Sequence, residues 1–107
     1  MNESYKFSKE NRYLTRGIQE HIPMEVQAFL WGLIDVKVKL GEQLDYLQIF
    51  KFETDEKHLY IVHSQEESQR EEKYSLELKK GYEEMQNVKI YILDDKTHAT
   101  MLLAEEY

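Results

Sequence analysis

Four histidines are the residues of this chain best suited to moving a proton or holding a metal, and their spacing decides how far that idea goes. His98 follows Asp94 and Asp95 in the segment DDKTH, and a carboxylate beside an imidazole is the composition of an acid/base pair acting on a small molecule. The same segment is ordinary hairpin-turn composition, which is the preferred reading. His58 and His63 lie an odd number apart on one expected strand, so they leave opposite faces and cannot share a metal without a bulge. His21 precedes a helix and reads as a surface loop residue.

Other chemistries find less support. There is no Cys to act as nucleophile or thiolate ligand, and no Ser sits in a G-x-S-x-G elbow. Gly17, Gly32, Gly41 and Gly81 are too scattered for a phosphate-cradling loop. The glutamates at 66, 67, 71, 72, 83 and 84 could be arranged as paired carboxylates, but such runs are the usual composition of a solvated face, and no EF-hand spacing appears. Arg12 and Arg16, four apart on an expected strand, point to one side and could clamp an anionic ligand; pairing with acidic neighbours is the simpler account. Eight tyrosines lack the basic groove of a nucleic-acid platform and suit core edges and interfaces. No catalytic residue, metal ligand or cofactor is assigned.

The elements that position these residues are read from punctuation and periodicity. Residues 22–41, IPMEVQAFLWGLIDVKVKLG, predict one helix, with Pro23 and Glu25 at its start and Lys37, Lys39 and Gly41 at its end. Val26, Phe29, Leu30, Leu33 and Ile34 share the arc expected to face the core. Met24, Trp31 and Val38, spaced by seven, line a second arc roughly 140° away from Val26, which asks for a cover of its own. Strands are expected at 12–18, 46–53, 59–63, 74–78, 89–93 and 100–104, joined mostly by short polar connections that suit antiparallel hairpins. Residues 1–11 read as a loosely held terminus, and 12–107 as a single domain.

Only the strand near Tyr74 alternates cleanly between apolar and polar residues. In LQIFKF, LYIVH, KIYIL and TMLLA both faces carry apolar or aromatic side chains, as in strands covered on both sides. The expected fold is therefore α+β: one principal helix on a curved, mostly antiparallel sheet of five or six strands. Since one helix cannot shield both faces, the sheet must either curl into a partly closed barrel or meet a second subunit.

A chain of 107 residues with 12% aromatics can enclose a modest core despite its 33% charged residues and net charge of -7. Charge is unevenly placed, with +1 in residues 1–21, zero in 22–41 and -8 in 42–107. That surplus disfavours direct contact with nucleic acid or an anionic membrane and favours a basic protein partner. The lack of cysteine, of an apolar leader and of a membrane-length apolar run fits a cytosolic address.

NRYLTRGI, IPMEVQAFLWGLID, LDYLQIF and the ending MLLAEEY resemble a family of small cytosolic Firmicutes proteins known as domain of unknown function 960. The resemblance runs from about Asn11 to Tyr107 and implies a bacterial cytosolic protein; it carries no activity, catalytic residue or cofactor. The leading expectation is a non-enzymatic interaction module, homodimeric in one version, using the Met24, Trp31, Val38 stripe or a two-sided strand face. The alternatives are an acidic inhibitor or regulator of a basic partner, a nucleic-acid-binding protein being one option, and a small-molecule enzyme using His98 with Asp94 or Asp95.

Overall fold

The computed structural model describes residues 4–107. In chain order the elements are β1 (Arg12–Leu14), α1 (Arg16–His21), α2 (Met24–Lys39), β2 (Leu47–Thr54), β3 (His58–Gln65), β4 (Arg70–Glu77), a 3-10 turn (Tyr82–Met85), β5 (Lys89–Asp94), β6 (Ala99–Leu103) and a second 3-10 turn (Ala104–Glu106). They form the expected α+β architecture, one main helix with a six-stranded sheet in the order β1-β6-β5-β2-β3-β4. Only the β1–β6 pair is parallel. The sheet does not close: β1 and β4 are its two edges, so the barrel resolution of its two apolar faces is not the one adopted.

The inner face is dry. Phe50, Phe52, Leu59, Ile61, Ile90, Ile92 and Met101 alternate inward from the four central strands and are buried together with Val26, Leu30 and Ile34 of α2. Phe29 and Leu33 flank that arc half-buried, as a helix lying on a sheet requires. The end of α2 is a Schellman motif: Gly41 N–H donates to the Val38 carbonyl, Glu42 N–H to that of Lys37, and Gly41 takes φ +74°.

The second arc of α2 is largely covered by the chain itself. Trp31 lies under the Arg12 guanidinium, 4.5 Å from the ring centroid, and both Trp31 and Val38 are half-buried against the core. Residues 6–9 run beside Val36 and Val38, and Phe7 is 1% exposed. An isolated Phe in a polar segment carries no periodicity, so sequence does not foresee this anchoring. Of the stripe, Met24 alone stands open, at 83% exposure.

The strand expected over 12–18 stops at Leu14, and Arg16 begins a helix instead. Thr15 is its N-cap, its hydroxyl accepting from Ile18 N–H at 3.4 Å, and the C-terminal Glu106 reinforces that end. The Glu106 carboxylate accepts from the Thr15 hydroxyl (2.6 Å), Gly17 N–H (3.1 Å) and Leu103 N–H (2.8 Å). A Cβ on Gly17 would sit 2.8 Å from that carboxylate, so the glycine makes room for a cap that arrives from the far end of the chain.

This geometry predicts a change of sign. Glu106→Ala should cost about 1–2 kcal/mol through its lost capping bonds, and Gly17→Ala about 1 kcal/mol by displacing the carboxylate. In the Glu106→Ala background, Gly17→Ala should be neutral or stabilising, because only its helix propensity remains. Chemical denaturation of the four proteins measures this.

Candidate functional site

The residues singled out for chemistry do not assemble into one centre. Arg12 and Arg16 stand on different elements. Arg12 pairs with Asp35 through Nη1 (3.3 Å) and Nη2, and donates from Nη2 to the Phe7 carbonyl at 2.8 Å. Arg16 makes an exposed pair with Glu20 at 2.8 Å. Both arginines thus have acidic partners, the simpler account, and Arg12 ties the N-terminal segment and β1 to α2.

His98 and Asp95 meet in the β5–β6 hairpin, with Nε2 3.4 Å from Oδ2. Asp95 is already committed: its Oδ1 accepts from the Thr97 hydroxyl (2.6 Å) and from the N–H groups of Thr97 (2.9 Å) and His98 (2.8 Å). The Thr97 hydroxyl, then the His98 and Thr97 amides, push its pKa down to about 2, so at neutral pH it neither carries a proton to donate nor readily accepts one. Asp94 is buried and accepts from Phe7 N–H (2.9 Å) and Lys96 N–H (2.8 Å). Its work is to seat Phe7. The hairpin lines an open groove of about 770 Å³ with Tyr5, Asn11 and Gln43, yet the carboxylates beside it hold the turn. Asp55 builds the β2–β3 hairpin in the same way, accepting from Lys57 and His58 N–H at 2.7 Å each.

His58 and His63 do point to opposite faces: His58 is half-exposed, and His63 is buried, stacked on Phe50 with centroids 4.3 Å apart. Around His63 lies a buried polar chain that sequence did not suggest. Gln48 Nε2 donates to Gln65 Oε1 at 2.8 Å, which leaves Gln48 Oε1 to accept from His63 Nε2 at 2.7 Å. Gln65 in turn donates to the carbonyls of Gln43 (3.0 Å) and Ser68 (2.9 Å), holding the β3–β4 turn. Nearby, Lys37, whose side chain is 4% exposed, pairs with Glu72 and lies 3.8 Å from Glu42, which also pairs with Arg70. These contacts fasten the end of α2 to β3 and β4, while His63 Nδ1 is buried without a hydrogen-bond partner among the described residues.

The outer face of the sheet is a different kind of surface. In register across the strands, Leu102, Tyr91 and Ile49 stand side by side, and the next row along is Tyr13, Thr100, Leu93 and Leu47. Leu47, Ile49, Tyr91 and Leu93 are only half-buried, and Tyr107 packs edge-on against Tyr91 at 5.4 Å while remaining 66% exposed. On the other side of these rows Lys89 and Lys51 face each other directly, followed by Val62 and then Lys73. None of the three lysines has an ion-pair partner among the described residues. The two-sided apolar strands were visible in sequence; the lysine row exists only in the register.

A family of staphylococcal proteins of unknown function (DUF960) matches residues 11–106. Among solved structures, a protein of unknown function from Enterococcus faecalis is similar with a TM-score of 0.80 and 24% identity, over 100% of this chain and 98% of that one, which shows a common fold. No curated protein matches. No helix of the described residues is long and apolar enough to cross a membrane.

His63 predicts a pH dependence. Burial and then the charge of Lys37 disfavour the imidazolium, lowering its pKa from 6.5 to about 4. An unfolded chain takes up this proton near pH 6.5 while the folded chain declines it, so stability is full above pH 6.5 and falls as pH drops towards 4. The loss should reach about 3 kcal/mol at one pKa unit per 1.36 kcal/mol. Denaturation curves at pH 7, 5.5 and 4 should show this slope, and His63→Gln should flatten it between pH 6.5 and 5. Glu72, held below its ordinary pKa first by its hydrogen bond from Lys37, adds its own loss only at lower pH.

Proposed function

The chain belongs to the DUF960 family of staphylococcal proteins of unknown function, and from that premise we propose that it is a non-enzymatic protein-interaction module whose contact surface is the outer face of its sheet. One observation carries this reading. The long helix occupies the inner face, the sheet is open, and the outer face presents Leu47, Ile49, Tyr91 and Leu93 as a contiguous half-buried patch rimmed by Tyr13 and Tyr107. Tyrosine joins a large apolar body to a polar tip at little cost in conformational entropy, which suits a surface that is wet when free and dry when bound.

The Met24, Trp31, Val38 stripe supports the reading less well, since Arg12 already covers Trp31 and Val38 is half-buried. The acidic surplus is likewise partly spent within the fold, because Asp35, Glu42, Glu72, Asp94, Asp95 and Glu106 each hold a partner of the same chain.

Two measurements test the proposal. Ile49→Thr should cost less than about 1 kcal/mol while Phe50→Ala, its neighbour on the inner face, costs about 3–5 kcal/mol, as expected if the outer residue is not required by the core. A photo-crosslinking phenylalanine analogue at Tyr91, expressed in a staphylococcal cell, should give a protein adduct that Leu93→Arg removes, and the same analogue at Met24 should give none. Adducts at position 24 but not 91, or at neither, contradict the proposal.

A further inference from the structure

On the outer face of the two central strands β2 and β5, charges are sorted along the strand, between Asp45 and Lys51 and between Lys89 and Asp95. Glu71, at the edge strand, continues the Ile49 row through Ser64. Lys51, Lys89 and Lys73 form one row, with Lys51 and Lys89 directly opposite each other on β2 and β5. Like charges in that position repel, and a chain with 21 acidic residues has not placed a carboxylate between them. At the other ends of the same two strands stand acids: Asp45 just before β2, and Asp95 just after β5. The β3–β4 turn adds Glu66 and Glu67 at that end. Between the basic row and the acidic end lie the two apolar rows, Leu47 with Leu93 and Ile49 with Tyr91.

We propose that a second copy of this chain docks on the outer face, turned end for end about a two-fold axis that runs across the strands between the two apolar rows. That operation sets Leu47 and Leu93 of one copy over Ile49 and Tyr91 of the other. It also carries the basic row onto the acidic end, because residue positions on each strand are exchanged about the same midpoint: Lys51 meets Asp45 of the second copy, and Lys89 meets Asp95. The contact is isologous, so each charged pair occurs twice. A two-fold axis along the strands would instead lay the lysine row on itself, facing Lys51 with Lys51 or Lys89, and that repulsion selects against it. Glu53 lies beyond the basic row and outside the overlap.

The size of the face bounds the kind of contact it can make. Six strands about 4.8 Å apart, overlapping over about six residues, project roughly 500–600 Å² per copy, below the roughly 800 Å² per partner of a standard stable interface. A face of that size suits a weak, reversible dimer rather than an obligate one.

This inference rests on the outer face being an interaction surface, and the experiment separates the two claims. Sedimentation from micromolar to millimolar concentration should show a reversible dimer for the wild type and a monomer for Lys51→Glu/Lys89→Glu, with Ile49→Asp as a second variant that removes the apolar contact. Orientation is read with introduced thiols, which report cleanly because the chain has no cysteine. Asp45→Cys and Lys51→Cys, mixed, should be joined by a bismaleimide too short for the roughly 20 Å between the two positions along one strand, and neither variant alone should crosslink. A wild type that stays monomeric at millimolar concentration overturns the second copy; if the Tyr91 probe still captures another protein, the interaction surface survives without it. A dimer indifferent to Lys51→Glu/Lys89→Glu, or one that crosslinks through Lys51→Cys alone, overturns the end-for-end geometry.

Discussion

The structure depends on a mismatch of areas: a six-stranded sheet has two faces, and one helix of 16 residues can dry only one of them. Everything on the inner side follows from that contact. Phe50, Phe52, Ile61, Ile90 and Ile92 reach full burial because Val26, Leu30 and Ile34 recur along α2 at helical spacing and meet them. The outer side receives no such cover, and its strands keep apolar residues at half burial where a solvated face would carry polar ones.

A small domain with so few helices must settle its helix ends, turns and edges with local devices, and here the carboxylates supply many of them. Asp55 and Asp95 each gather the amides of a hairpin, Asp94 seats Phe7, and Glu106 crosses from the C-terminus to cap α1. Much of the acidic composition is thus structural chemistry, which is why a net charge of -7 is a poor guide to a binding surface. The long edge strand β4 carries Glu71, Lys73 and Glu77 on its exposed face, the charged edge that discourages open-ended strand addition.

Where sequence and structure part, the cause is the reach of an interaction along the chain. Strand alternation and the helix stop at Gly41 are written within a few residues, and they hold, although β4 starts at Arg70, four residues before the expected 74–78, where the charged run hides the strand. The segment after Leu14 alternates for too few residues to separate strand from helix, and the deciding partner, Glu106, lies 91 positions from Thr15. Phe7 misleads similarly, looking like a stray aromatic in a loose terminus until Asp94 meets it; Arg12 does pair with an acid, as expected, but its partner Asp35 lies 23 positions away and no local pattern names it. The apolar outer face is half legible, as strands apolar on both sides; its lysines are not, because Lys51, Lys73 and Lys89 are neighbours only through strand pairing.

Sequence alone is enough for the α+β class, the principal helix and its core arc, the five later strands, the two hairpins turning at TDEKH and DDKTH, and the surplus of apolar surface, because each is set by short-range periodicity and turn chemistry. Tertiary structure alone decided that the sheet stays open, that Trp31 is covered by Arg12, and that the surplus gathers on one face beside a row of lysines. Those outcomes depend on register and on which distant groups meet, and a pattern confined to one strand or one helix carries no information about either.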